Sequence, residues 1–294
     1  MKATSRILWA CFVVLFLTQN IYCQTDSSKT VNKKRLRTFT VASGAAYGLT
    51  LIGLNELWYK DSVKQSFHFF NDNAEWKQMD KIGHFYSAFY LSYGTSSALS
   101  WCGLQQRKAN LWGSLAGFLI ILPIEVFDGY SAAYGASAGD LMANAIGSGF
   151  FLAQSALWKE IRIQPKFSYH KTDYPALRPD ILGDTFASEL LKDYNGQTYW
   201  LSFDMDKFIK FPKWLNLAVG YGAEEMVYAH DGQNTAEGYQ AYRQYYLALD
   251  FDLTGIKTRS KALKTIFAIA SMIKLPAPTI EFSSKGARLY AFYF

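Results

Sequence analysis

The sequence predicts an α+β protein: four apolar helices, a helical bundle-like unit, followed by an antiparallel β-rich region with features of a barrel wall. Three observations lead there. Four stretches of about 20 residues, rich in Gly, Ala and Ser, lie between residues 38 and 158. From about residue 165 the hydrophobic period changes from helical spacing to strict alternation. Aromatic residues reach 17% of the 294, while charged residues fall to 18%, below the roughly 25% usual for globular chains. Such a composition suits a chain that meets lipid or packs a wide aromatic surface.

The N-terminus has the layout of a secretory signal peptide over residues 1–23. Lys2 and Arg6 precede the apolar run "ILWACFVVLFL", and a polar stretch begins near Gln24. Cleavage is expected after Cys23. Lipidation fits less well, because the bulky Tyr22 precedes Cys23, and too few apolar residues precede Cys11. With both of these cysteines in or at the signal, Cys102 stands alone. A lone Cys excludes an internal disulfide in the mature chain and any Cys-rich zinc site. Residues 24–37 read as a polar, basic linker.

The helical domain is expected over 38–164, with helices near 38–59, 80–102, 109–127 and 140–158. Each carries polar residues, and "KKRLR" ahead of the first lies on what becomes the exported side, against the positive-inside bias. A compact, partly membrane-embedded helical unit fits better than four ordinary spans. The β-rich domain is expected over 165–294, with strands in "TYWLSFDMD", "LNLAVGYGAEEMVY", "YRQYYLALDFDL", "APTIEF" and "ARLYAFYF". In the third, Tyr245, Leu247, Leu249, Phe251 and Leu253 share one face, and Tyr246, Ala248, Asp250 and Asp252 the other. That suits a barrel wall with a polar interior and equally a half-buried antiparallel sheet. The amphipathic helix expected at 260–275 interrupts the strands and does not belong in a simple up-and-down barrel. Asn195-Gly196 marks a tight turn.

Net charge is +6, but basic residues are scattered among acids, and no nucleic-acid fold signature is present. The partner implied is membrane lipid, not nucleic acid. No P-loop, dinucleotide fingerprint or zinc-protease helix occurs, so no cofactor is expected.

Three helical segments carry polar pairs at helical spacing: Asp80 with His84, Glu125 with Asp128, and Asp140 with Asn144. Each pair lies on one face of its helix. Convergence of the three faces would put an imidazole, several carboxylates and an amide in an apolar bundle. Such a set can form a structural hydrogen-bond network, run general acid–base chemistry, or hold a cation through oxygen and one nitrogen; the network is the expected role. "GASAG" (135–139) formally matches a nucleophile elbow at Ser137, but no buried strand leads into it. "SAGD" reads instead as a capping box, with Ser137 as N-cap and Asp140 at N3. His68, His170 and His230 have no ligand-like spacing and are expected at the surface.

"DKIGHF", "IEVFDG" and "GASAGDLMANAIG" together resemble the YfiM-like domain of unknown function, a family of predicted periplasmic lipoproteins. The resemblance runs from residue 80 to about 155. The order Asp-Lys…His, Glu and Asp…Asn…Gly is also similar, more faintly, to VanZ-like membrane proteins. This sequence departs from the family in lacking a convincing lipobox and in adding the long β-rich half. The resemblance implies an envelope protein and carries no reaction. The expected function is a structural or lipid-interacting role in an exported, membrane-associated envelope protein, with the outer membrane ahead of the inner. One alternative is a membrane-embedded hydrolase or transferase on lipid or cell-wall precursors, using His84 beside the nearby carboxylates. The other is an outer-membrane channel.

Overall fold

The computed structural model describes residues 30–59 and 63–293. The expected signal peptide and the first part of the linker lie outside them. The chain forms two compact units. The helical unit takes the residues up to Asn71 together with Ser87–Lys159; the sheet unit takes Asp72–Tyr86 and everything from Glu160 onward.

The helical unit is built from α1 (Lys33–Leu54), most of α2 (Met79–Trp101), α3 (Gln106–Gly129) and α4 (Ala138–Leu157). Helix α1 starts five residues ahead of the expected boundary, so the basic run belongs to its first turns rather than to a linker. The cause is Asn32, whose side chain accepts from the Arg35 amide at 2.9 Å and so satisfies one of the unpaired donors at a helix start. Its own amide donates to Cys102 O at 2.8 Å. The chain continues from α1 as a π-helical turn, Asn55–Tyr59.

Helices α2 and α3 approach until their backbones nearly touch. A Cβ placed on Gly117 would lie 2.0 Å from Ser92 Oγ and 2.7 Å from Ser92 N. Around this contact the interior is polar. Ser96 donates to Asn110 at 2.6 Å, and Ser114 donates to Ser148 O at 2.9 Å. The outward faces are apolar instead: Leu111, Trp112, Leu115 and Leu119 of α3 and Met142, Ile146 and Leu157 of α4 are all exposed.

The sheet unit holds six antiparallel strands in sequential order: β1 (Ile163–Tyr169), β2 (Gln197–Phe203), β3 (Leu215–Glu224), β4 (Tyr242–Phe251), β5 (Ala277–Ser283) and β6 (Gly286–Tyr293). Five of the six were expected; β1 was not. Short helices α5 (Pro179–Leu182), α6 (Phe186–Lys192) and α7 (Asp231–Ala236) occupy the long connections, and α8 (Lys261–Ala270) precedes β5.

The barrel expectation is corrected: β1 pairs only with β2 and β6 only with β5, so the sheet stays open. The segment after α8 explains this. Phe167 N donates to Met272 O and Lys274 N donates to Phe167 O, each at 2.9 Å. That single parallel bridge occupies the edge of β1, where a closing strand would have to pair. At the far end, Asn195 of the expected turn is buried, and its amide brackets the Met226 backbone, donating to Met226 O at 3.0 Å and accepting from Met226 N at 2.7 Å.

One face of the sheet is buried, and it is the polar one. Lys166, Ser202, Asn216, Gln244, Asp250 and Glu281 all point into it. Trp200 and Tyr246 fill the remaining space, their ring centroids 5.4 Å apart. Gly220 makes room for Trp200, since a Cβ there would sit 2.6 Å from the indole ring. The alternating apolar residues of β3–β5 face outward.

Replacing Gly117 by Ala forces backbone, not just a flexible side-chain end, to move, and is expected to cost about 1–3 kcal/mol. Gly149→Ala, with nothing within 4 Å of the added carbon, should stabilise by up to about 1 kcal/mol through helix propensity. Denaturant unfolding of the two variants checks the contrast; equal effects would place the α2–α3 crossing elsewhere.

Candidate functional site

Of the six candidate residues, Glu125, Asp128, Asp140 and Asn144 belong to the helical unit, and Asp80 and His84 to the sheet unit. In the helical unit, Glu125, Asp140 and Asn144 are buried around the start of α4. Ser137 is the N-cap: its hydroxyl accepts from Asp140 N at 3.1 Å. Its own amide donates to Glu125 Oε2 at 3.0 Å. In a capping box that reciprocal bond comes from the residue three positions on; here Glu125 of α3 supplies it. The Ser137 hydroxyl is thus engaged as a cap, and no strand enters the turn before it, so the structure supports the cap reading. Asp128, near the end of α3, accepts from Tyr59 OH at 2.7 Å. Burial first, then the neighbouring Asp128, pushes the Tyr59 phenol well above its ordinary range. A cavity of about 230 Å³ beside it is lined by Tyr59, Lys64, Phe127, Tyr130 and Ser131.

In the sheet unit, Asp80 and His84 occupy the first turns of α2. His84 Nε2 is 3.8 Å from Asp80 Oδ1, and Tyr194 OH donates to the same oxygen at 2.9 Å. The turn that aims this helix is unusual. Trp76, Lys77 and Gln78 have φ values of 44°, 51° and 64°, the left-handed region that costs L-residues roughly 1–2 kcal/mol each. Their surroundings hold them there. Trp76 N donates to Ala229 O at 2.9 Å, Tyr221 OH to Lys77 O at 2.5 Å, and Arg243 to Gln78 Oε1 at 2.7 Å. The Lys77 ammonium pairs with Asp231 at 2.6 Å. Backbone strain of this kind persists only where the surrounding contacts over-determine it.

Two of the three remaining histidines differ from expectation. His68 is half-buried, with Nδ1 3.1 Å from Gly129 O and Nε2 3.0 Å from Tyr134 O. His170 is half-buried with Nδ1 shut off from water and without a hydrogen bond; burial pushes its pKa down. His230 is exposed, 3.3 Å from Glu75.

The most buried charges of the sheet unit were not anticipated. Lys166 Nζ lies 2.6 Å from Asp250 Oδ2, with both side chains essentially inaccessible. Ser202 donates to the same carboxylate oxygen at 2.6 Å. Lys274 Nζ is 3.9 Å from Asp250 Oδ1 and 5.1 Å from the Trp200 ring centre. Burial brings the Lys274 ammonium down to about 8, partly opposed by Asp250. The Asp250 position on the small and acidic face of its strand was the sequence signal. The lysines gave none, because their register against β4 depends on strand pairing.

Residues 67–155 match the family described as predicted periplasmic lipoprotein (DUF2279). The matched stretch contains all six candidate residues and agrees with the resemblance read from the sequence. It supports an exported, envelope-associated protein and leaves the β-rich half outside. No curated protein and no solved structure matches the chain.

Asp250→Ala leaves two ammonium groups buried without a counter-charge and is expected to cost about 3–5 kcal/mol in denaturant unfolding. A loss below about 1 kcal/mol would mean that water reaches the cluster. Lys274 has a pKa lowered on folding, so the unfolded chain binds more protons above pH 8 and stability should rise from pH 8 toward 10. Below pH 8 the residue is protonated in both states and contributes no slope. Above pH 10 the buried tyrosines, whose pKa values are raised, act in the opposite direction. Lys274→Met should flatten the rise between pH 8 and 10; an unchanged slope would assign it to other groups.

Proposed function

We propose that this is an exported cell-envelope protein that works at a membrane in a structural or lipid-interacting role, with its polar residues forming internal networks rather than a reaction centre. The observation that carries this reading is the inverted placement of side chains. Among the described residues, fully buried polar side chains outnumber fully buried apolar ones, while large apolar residues lie exposed on the helices and on the sheet. Water-soluble folds bury large apolar residues and expose charge, and contiguous exposed apolar surface marks membrane or partner contact. Helix α3 supports the same reading: among the described residues it is the one helix long and apolar enough to cross a membrane by length and composition. The channel alternative loses its basis, because the sheet is open and its interior is filled.

Density-gradient separation of envelope membranes tests this. The protein should travel with membranes and resist a high-salt wash. Recovery with soluble periplasmic contents, without detergent, would overturn the proposal.

The network role has its own test at α2. Asp80→Asn and His84→Ala should each lower unfolding stability by about 0.5–1.5 kcal/mol, the scale for losing one hydrogen bond at a half-buried position. Unchanged stability together with a lost cellular phenotype would instead favour the hydrolase or transferase alternative, with His84 as base.

A further inference from the structure

The register of the sheet arranges its outward residues in levels. Pro165, Leu201, Val219, Leu247, Ile280 and Leu289 are paired neighbours from β1 to β6 and form one aliphatic row. Next to it, two residues along each strand, runs an aromatic row: Phe167, Tyr199, Tyr221, Tyr245 and Phe282. Toward β1 and β2 this face is covered by the head of α2, where the Tyr86 ring meets Phe167 and Tyr199. Over β3–β6 it is open: Val219 is 44% exposed, Leu247 45%, Tyr245 53% and Leu289 78%.

At the opposite end of the strands a second aromatic level appears. Trp214 stacks on Phe251 with 13° between the rings and remains 59% exposed. Tyr245 and Phe251 are six residues apart on β4, so the two levels bracket an aliphatic band about 20 Å tall. Lipid-facing strands have this organisation, with an apolar band between aromatic girdles and polar residues on the other face.

The two ends of the sheet also differ in charge. The connections at the Trp214 end, residues 204–214 and 252–276, contain eight Lys and Arg against three Asp. Those at the other end, 170–196, 225–241 and 284–285, contain four against eight acidic residues. Within the first loop, the exposed Lys210 and Lys213 alternate with exposed Phe208, Ile209 and Trp214. Basic residues near an anionic membrane surface gain from its potential, and Trp sits preferentially at the level of the headgroups.

We infer that the open outer face of β3–β6 is the lipid-contacting surface of this protein, set against an anionic phospholipid membrane with the Trp214 end at the headgroups. This rests on the membrane role proposed above and specifies the surface that performs it.

The test is binding of the purified full-length chain to vesicles of phosphatidylcholine alone and of phosphatidylcholine with phosphatidylglycerol. Three double variants are compared: Lys210→Glu with Lys213→Glu, Val219→Asp with Leu247→Asp, and, on the helical unit, Trp112→Asp with Leu115→Asp. All six positions are exposed, and thermal unfolding verifies that each variant folds. The lysine pair should weaken binding to the anionic vesicles by at least about thirtyfold and leave neutral vesicles unaffected. The Val219/Leu247 pair should weaken binding to both. Quenching of Trp214 by brominated lipid, absent in Trp214→Phe, should accompany binding.

Wild-type levels of binding by both sheet variants, with loss only in the helical pair, would overturn this inference and leave the membrane role standing. A lipid-free dimer broken by Val219→Asp with Leu247→Asp, with vesicle binding intact, would overturn it in favour of a second copy on this face. Absence of binding by the unaltered chain to either vesicle would remove the membrane role and this surface together.

Discussion

The sheet unit depends on a carboxylate that cannot reach water. Asp250 sits in the buried face with Lys166 at 2.6 Å and the Ser202 hydroxyl at 2.6 Å on the same oxygen. These partners come from three strands, β4, β1 and β2, so the ion pair fixes how those strands are stacked as well as their charge. A buried ion pair contributes little net stability over an apolar filling, but its geometry admits few alternatives. That matters in a sheet whose outer face is apolar, because a register slip of one residue would turn the charges outward and the leucines inward. The rest of the interior follows the same rule. Glu281 is satisfied by Tyr290 at 2.6 Å and Gln244 at 3.3 Å, and Tyr293 bridges Thr198 and Tyr246. These buried polar groups find partners on other strands, and the network stands in place of the close-packed aliphatic core of a soluble sheet.

The helical unit meets the same constraint by a different route. Phe89, Tyr90, Ile121 and Phe151 are buried between its helices, but many other large apolar side chains are turned outward. Glycines and serines let the backbones approach, as Gly117 and Ser92 do, and hydroxyls donate to carbonyls on the neighbouring helix. Glu125 fits this pattern. A carboxylate at the N-terminus of α4, on the Ser137 amide, meets unpaired backbone donors and the positive end of the helix dipole. Its charge is therefore placed where a helix start stabilises it, whatever else the cluster does.

How much of this was legible depends on the range of the interaction. Helices are set by contacts within a few residues, and the four main ones were found with boundaries that moved by one to five positions. Asn32 shows why the largest shift occurred: the cap lies in a stretch that composition marks as a linker. Strand existence was legible for β2–β6 from alternation, and the Asn195-Gly196 turn and the Ser137 cap were legible as local motifs. Strand β1 was not, since Pro165 and Lys166 interrupt its apolar pattern. Alternation also assigns residues to two faces without saying which is buried, and here the buried face is the polar one. Of the candidate site, the i,i+3 and i,i+4 pairs were readable because helix geometry dictates them. The left-handed turn at Trp76–Gln78 was not, because its conformation is imposed by Tyr221, Arg243 and Asp231, all distant in sequence. The Lys166–Asp250 pair spans 84 positions and exists only once the strand order does.

An open sheet with a polar interior has a further problem at its two edges, β1 and β6, and it is met here at β1. Unpaired strand edges recruit other strands, and in this unit an exposed edge would also admit water beside Asp250. The stretch Met272–Lys274 deals with both. Its backbone takes up Phe167 N and O on the outer side of β1, and the ammonium of Lys274 turns inward to Asp250 and the Trp200 ring. Closing the edge and supplying the second interior cation are thus the work of one residue and its neighbours. This accounts for the helix that interrupts the strands: α8 carries the chain back from the end of β4 to the edge of β1, which a short hairpin could not reach. A closed barrel would need no such return. The interruption that argued against a barrel in the sequence is the element that lets this sheet keep a buried polar face without becoming one.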